Sequence, residues 1–338
     1  MLTIDGSMGE GGGQVLRTAL GLSMVSGVPF RIENIRAGRR KPGLMRQHLT
    51  AVKAATRIGS TRVDGARIGS TQLTFEPGPV RAGDYRFAVG TAGSTMLVLQ
   101  CILPALLIAD GPSTVVIEGG THNPMSPPFD FLARTFLPIL RRMGGDVDLE
   151  LERPGFYPAG GGAVRVTVRP AALSSIELME RGEPTGRRGL ARLADLPDVI
   201  ARRELAVLAK KLGMTDDELH IEHVSDSVGP GNVLTLDLGF EHVTEVLTGF
   251  GELQKTSERV AYEVTDAAKD YLGSDAPVGR HLADQLMIPM AMAGGGRFRA
   301  LPLTRHSTTN AHVIEMFLPV NFHREKVDGS TVVSVSRR

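Results

Sequence analysis

The sequence predicts an α/β (α+β) protein of three βαβαββ units, with a small α/β domain inserted in the third. Three observations predict it: a recurring order of strand-like and helix-like segments, an excess of glycine at their joints, and an abrupt change of charge over residues 183–276. Glycine supplies 40 of 338 residues, above the usual share of about 7%. It shows no Gly-X-Y period, so the excess belongs in tight turns or in loops that approach a ligand.

The first unit opens with a short strand at 2–5 and the segment Gly9–Gly13. Residues 14–26 (QVLRTALGLSMVS) space their apolar side chains helically and stop at Gly27. A strand at 28–36, a helix at 43–58 ended by Gly59, and strands near 61–64 and 71–76 complete the unit. The second unit repeats the order: strand 84–89, the small-residue turn Gly90–Thr95, an apolar helix at 95–109 and strand 114–118. A loop with Gly119, Gly120, Pro124, Pro127 and Pro128 leads to a helix at 129–143 and strands at 146–152 and 163–169. The third unit begins with strand 174–180 and is then interrupted. The interruption carries helices 199–212 and 255–272 and strands 218–224 and 232–239, enough to fold as a separate unit. The order resumes with helix 281–292, Gly294–Gly296, strand 297–302, helix 308–317 and strands 319–325 and 331–335. The expected domains are therefore 1–182 plus 277–338, with units at about 1–78, 79–170 and 171–182 joined to 277–338, and an inserted domain at 183–276.

The net charge of +1 hides an asymmetry. Residues 183–276 hold 18 acids against 10 Lys/Arg, while the rest holds 19 acids against 28 bases. Residues 31–57 contain eight basic side chains and one acidic one, Glu33, which either attracts phosphates or forms a solvated basic face. Hydrophobic residues at 42% exclude wholesale disorder. Cys101 is the only cysteine, so neither an internal disulfide nor a cysteine metal cage can form. The N-terminus does not read as a signal peptide, and the apolar run Met96–Ala109 is too short to span a bilayer. The expected location is cytoplasmic, with no membrane partner.

Among motifs, no P-loop occurs, and Gln14 stands where a dinucleotide fingerprint needs its third glycine. Lys326-Val327-Asp328-Gly329 imitates the motif of lysine-dependent nucleic-acid ligases, but Asp-Gly between strand-like runs reads as a hairpin turn. Gly9-Glu10-Gly11-Gly12-Gly13 at the mouth of a helix suits close approach of phosphate oxygens. Glu10 there fits a Mg²⁺ shared between carboxylate and phosphate, or simply an acid favourably placed near a helix N-terminus. The arginine forks of 36–41, with Gln47 and His48 one turn into the next helix, suit a terminal phosphate. Aromatics are only 5%, with no Trp, so recognition of a nucleic-acid end through its phosphates is expected over base stacking. His306, in Thr304–Asn310 between a strand end and a helix start, is the histidine placed for chemistry, with Ser307 or Thr308 as the N-cap.

The segments at 6–17 (ending GEGGGQVLR), 35–49 (IRAGRRKPGLMRQHL), 156–162 (FYPAGGG), 281–286 (HLADQL) and 305–310 (RHSTTN) together resemble the RNA 3′-terminal phosphate cyclase family, in order and over essentially the whole chain. The resemblance implies units like the C-terminal domain of a translation initiation factor and a thioredoxin-like inserted domain. It implies a ligase-class nucleotidyltransferase that uses ATP, with Mg²⁺ or another divalent metal, to convert an RNA 3′-phosphate into a 2′,3′-cyclic phosphate through a histidinyl-AMP. By matching, His306 is the nucleophile and Glu10 the metal ligand. Arg17, Arg36, Arg39, Gln47 and His48 line the phosphate and RNA-end site. Gln100, Pro127, His281, Leu282, Ala283, Asp284 and Gln285 form the nucleoside pocket, with His281 where the family carries tyrosine. RNA and ATP are the implied partners, and a homodimer is compatible with it. The alternatives are a catalytically inactive RNA-processing homologue, a nucleotidyltransferase acting mainly on 5′-phosphate ends, and an enolpyruvyl transferase built from similar repeats.

Overall fold

A computed structural model describes residues 1–338, a mixed α/β chain with four four-stranded sheets. The first sheet holds β1 (Leu2–Asp5), β2 (Phe30–Glu33), β3 (Arg62–Asp64) and β4 (Leu73–Glu76) in the order β1-β2-β4-β3. β1 and β2 run parallel, and the crossover between them is α1 (Gln14–Ser26). Gly27, left-handed at φ +73°, ends that helix. α2 (Arg46–Ile58) follows β2 and buries Ala51, Val52, Ala54, Ala55 and Ile58 along one stripe.

The second sheet repeats that order with β5 (Asp84–Ala88), β6 (Ser113–Gly119), β7 (Asp146–Arg153) and β8 (Gly162–Arg169), as β5-β6-β8-β7. α3 (Thr95–Leu106) is its first crossover, capped by Ser94 Oγ accepting from Leu97 N at 3.2 Å. The stretch read as one helix at 129–143 is α4 (Phe129–Phe131), a π-helical turn (Leu132–Phe136) and α5 (Leu137–Arg142). The third sheet combines β9 (Glu177–Leu178) with β14 (Gly295–Ala300), β15 (Val320–Val327) and β16 (Ser330–Arg337), in the order β9-β14-β16-β15. Its helices are α8 (Arg280–Ala293) and α9 (Arg305–Phe317). Asp328 (φ +45°) and Gly329 (φ +76°) make the two-residue turn between β15 and β16, so the ligase-like tetrapeptide is a hairpin.

The fourth sheet is β11 (Leu219–Val224), β10 (Pro184–Ala194), β12 (Gly231–Phe240) and β13 (Thr244–Phe250), flanked by α6 (Val199–Leu212) and α7 (Ser257–Leu272). Two of its strands, β10 and β13, are not expected from the sequence pattern. β10 ends in RRGLARLA, without a clean alternation, because residues 189–194 are buried between two neighbouring strands and both faces of the sheet. A separate apolar cluster, including Leu205, Leu234, Val260 and Tyr271, lies almost wholly within 191–276. Residues of this sheet are nonetheless tied to the rest of the chain, since Val243 and Val246 belong to the main core. Arg192 also donates to Asp130 Oδ2 at 2.9 Å.

Two further differences matter for the site. α2 begins at Arg46 rather than 43, because Pro42 and the left-handed Gly43 (φ +77°) keep 39–45 as a loop. α9 begins at Arg305 rather than 308, because Thr304 is the N-cap, its Oγ1 accepting from Ser307 N at 3.4 Å. His306 therefore sits in the first helical turn, not in the preceding loop. α1 packs against α2, α3 and α9, which brings the starts of α1, α2 and α9 to one place. No helix is long and apolar enough to cross a membrane.

Candidate active site

The Gly-rich turn is the floor of the site. Gly9 and Gly11 are left-handed, at φ +59° and +61°. A Cβ added to Gly13 would lie 2.3 Å from His48 Nε2 and 2.9 Å from Arg17 Nη1, so only glycine lets the two side chains reach over the start of α1.

Glu10 lies between Arg39 and His306. Its Oε1 pairs with Arg39 Nη2, and its Oε2 approaches His306 Nε2 at 2.5 Å. That second contact is not aligned as a hydrogen bond, which leaves Oε2 a buried oxygen without a hydrogen-bond partner. His306 is half exposed, and its Nδ1 meets Gln14 Oε1 at 2.9 Å. Gln14 Nε2 faces Asp284 Oδ2 at 3.3 Å, which orients the amide with its oxygen toward the imidazole. An amide oxygen can only accept, so Nδ1 carries a proton and Nε2 is the nitrogen turned toward Glu10 and the phosphate site.

The two groups beside the turn are held in different charge states, Arg17 cationic and His48 neutral. The Arg17 side chain forms neither an ion pair nor a hydrogen bond, and burial lowers its pKa to about 10, so it stays cationic at neutral pH without a partner. His48 is buried, and desolvation, then the charges of Arg17 and Arg36, push its pKa down to about 3. Its Nδ1 accepts from Met45 N at 3.2 Å, so the neutral ring presents an Nε2–H donor toward Gly13. Gln47 Oε1 accepts from Ser94 N at 2.8 Å, which ties α2 to the start of α3 and leaves its Nε2 to donate. Arg36 Nη1 donates to the carbonyls of Lys41 (2.7 Å) and Gly43 (2.9 Å), so that nitrogen shapes the 36–43 loop.

A cavity of about 510 Å³ opens from His306 between the body and the fourth sheet. Gln14, Arg17, Gln100, Pro127, His281, Asp284 and Gln285 line it. Gln100 Nε2 donates to Gln285 Oε1, and Gln285 Nε2 to Asp284 Oδ2 at 3.2 Å. Burial raises the Asp284 carboxyl to about 7. Leu282 and Ala283 are fully buried in the core and do not line the cavity, because α8 turns these two positions away from it. Sequence reasoning assigned no role to Gln14, although it stands four residues after Glu10 within the Gly-rich motif. Asn310 was likewise passed over; its Nδ2 donates to Asp284 O at 3.0 Å and its Oδ1 accepts from Thr18 at 2.7 Å, bracing α9 against α1 and α8.

No three His, Cys, Asp or Glu side chains cluster as metal ligands, so the side chains alone do not enclose a divalent ion. The orphaned Glu10 Oε2 fits such an ion if phosphate oxygens supply the remaining ligands, as Mg²⁺ readily accepts.

A family model described as RNA 3′-terminal phosphate cyclase matches residues 8–324. A protein named RNA 3′-terminal phosphate cyclase from Koribacter versatilis is 51% identical over 339 residues, covering 100% of this chain and 96% of the relative. One from Ralstonia nicotianae is 53% identical, covering 99% of this chain and 96% of its own. One from Pseudomonas fluorescens is 52% identical, covering 95% and 93%. The solved enolpyruvyl transferase NikO from Streptomyces tendae overlaps half of this chain and 33% of its own at 15% identity and a TM-score of 0.29, too low for the likeness to carry weight.

Proposed function

The chain belongs to the RNA 3′-terminal phosphate cyclase family, and from that premise we propose that it cyclises RNA 3′-phosphates at the expense of ATP through AMP carried on His306. The observation that carries the reading is a half-exposed imidazole whose Nδ1 is held by Gln14, so that Nε2 faces the phosphate site, beside the unpaired, half-buried guanidinium of Arg17.

His306 Nε2 attacks the α-phosphorus of ATP; the N–P bond forms, the bond to the bridging oxygen breaks, and pyrophosphate leaves. Gln14 accepts the Nδ1 proton's hydrogen bond and steadies the ring as positive charge develops on it. An oxygen of the RNA 3′-phosphate then attacks the same phosphorus, the N–P bond breaks, and RNA(3′)pp(5′)A results. Finally the neighbouring 2′-OH attacks the 3′-phosphorus, loses its proton, and AMP departs with the bridging oxygen. A bare phosphate monoester would have to expel oxide; adenylylation supplies a good leaving group, so positioning and charge neutralisation suffice. Arg17 as a cation and His48 as a neutral donor offer both. Glu10 would hold Mg²⁺ or another divalent metal, which would neutralise the triphosphate charge. Gln100, Pro127, His281, Asp284 and Gln285 would receive the adenosine.

We further read the three like-ordered sheets as three βαβαββ units, and residues 183–276 as a domain inserted in the third. The test of function is direct. RNA with a 3′-phosphate, incubated with ATP and Mg²⁺, should become resistant to phosphatase, and the same RNA without ATP should not. Phosphatase sensitivity unchanged by ATP, with folded protein, would contradict the proposal.

A further inference from the structure

A second cavity, of about 500 Å³, adjoins the first and takes no part in the mechanism above. We propose that it is a base subsite, receiving the nucleobase of the RNA nucleotide that bears the 3′-phosphate, stacked on Tyr157; this rests on the cyclase reading. The two cavities share Leu97, Met125 and Ser126 as a common wall. Gln47, the neighbour of His48, lines the second one. RNA(3′)pp(5′)A places two nucleosides on either side of one pyrophosphate, and two cavities that share a wall, one lined by His306 and Arg17 and the other by Gln47, match that shape.

Tyr157 is 59% exposed, yet its support is rigid. Phe156 beside it is buried and stacks on His122 with ring centroids 5.5 Å apart. Gly160 N donates to Phe156 O at 2.6 Å, and a Cβ at Gly160 would lie 2.7 Å from Ala92 Cα, so the FYPAGGG loop is wedged against the cavity wall. An exposed ring on a fixed backbone loses little freedom when a base stacks on it. Met125 on the rim is 95% exposed and left-handed at φ +63°, the kind of strained position that marks functional sites. Asn123, only 6% exposed, spends its Nδ2 on Ala92 O and leaves Oδ1 without a partner in the cavity lining. The low aromatic content is no obstacle, since one base needs one ring.

The test measures KM for a short RNA 3′-phosphate and for the same oligomer with an abasic terminal nucleotide. Loss of one stacked base predicts a KM roughly 10-fold higher for the abasic RNA with the wild type. Tyr157→Ala should raise KM for intact RNA by about the same factor, leave the abasic value unchanged, and spare labelling of His306 by ATP; Tyr157→Phe should behave as wild type. An abasic penalty that persists in Tyr157→Ala, or none in the wild type, overturns the subsite. A wild type that labels with ATP but never cyclises intact RNA overturns the cyclase reading itself, and the subsite with it.

Discussion

Arg17→Met tests whether the unpaired guanidinium exists for the nucleotide rather than for the fold. Burial takes its pKa from an ordinary 12.5 to about 10, a drop worth about 3 kcal/mol against the charged form in the folded state. The side chain is half-buried, so solvent screening reduces the cost to ~1.5 kcal/mol. Methionine keeps the bulk without the charge, so the unliganded variant should be more stable than wild type by about that amount. Loss of a charge-assisted contact to phosphate should weaken nucleotide binding by about 2 kcal/mol, or roughly 30-fold. The assay is urea unfolding with and without an ATP analogue whose α,β-bridge cannot be cleaved. At a concentration of about 100 times Kd the wild type should gain ~2.7 kcal/mol, and the variant only ~0.8 kcal/mol. An unliganded variant less stable than wild type, with its gain from the analogue intact, would refute the reasoning and make Arg17 a structural cation.

Gln14→Leu should slow labelling of His306 from α-labelled ATP by about 5-fold, the worth of one neutral hydrogen bond, while analogue affinity changes little; an unchanged labelling rate would remove Gln14 from the mechanism. His48 makes stability pH-dependent: its folded pKa of about 3 lies below the ordinary 6.5, so the unfolded chain takes up the proton first and stability falls as pH drops from 6.5 toward 3. At pH 5 the loss should be ~2 kcal/mol relative to pH 7, and His48→Gln should lack that component. Glu204 has the opposite sign, since burial without an aligned partner raises its carboxyl to about 8. Stability is lost as pH rises from 4.5 through 8, so Glu204→Gln should be more stable than wild type at pH 8, by on the order of 3 kcal/mol, and equal to it near pH 4. A difference independent of pH would show that Glu204 is not the titrating group.

The elements with clean periodicity were legible. Helices at 14–26 and 199–212 have the bounds that apolar spacing and a following glycine imply. β10 was not, because a strand exposed over 184–188 and then buried over 189–194, with Arg192 in the buried part, has neither an alternating nor a uniformly apolar pattern. The start of α9 was misplaced because Thr304, Ser307 and Thr308 are all competent caps, and tertiary placement of the strand end decides among them. At the site, the residue types announced themselves: a carboxylate among glycines, arginines before a helix, a histidine among hydroxyls. What a linear motif conceals is direction. Leu282 and Ala283 share a motif with Asp284 and Gln285 but not a helix face, and the helical period alone could have separated them. Gln14 was concealed for another reason, since its partner His306 lies 292 positions away and only the packing of α1 on α9 joins them.

The central claim is that His306 carries AMP. Incubation with α-³²P-ATP and Mg²⁺, followed by denaturing electrophoresis, should give a covalent label that is acid-labile and alkali-stable. His306→Ala should lack it, and RNA with a 3′-phosphate should chase it from the wild type. A label of equal intensity on His306→Ala, or none on folded wild-type protein, would contradict the account.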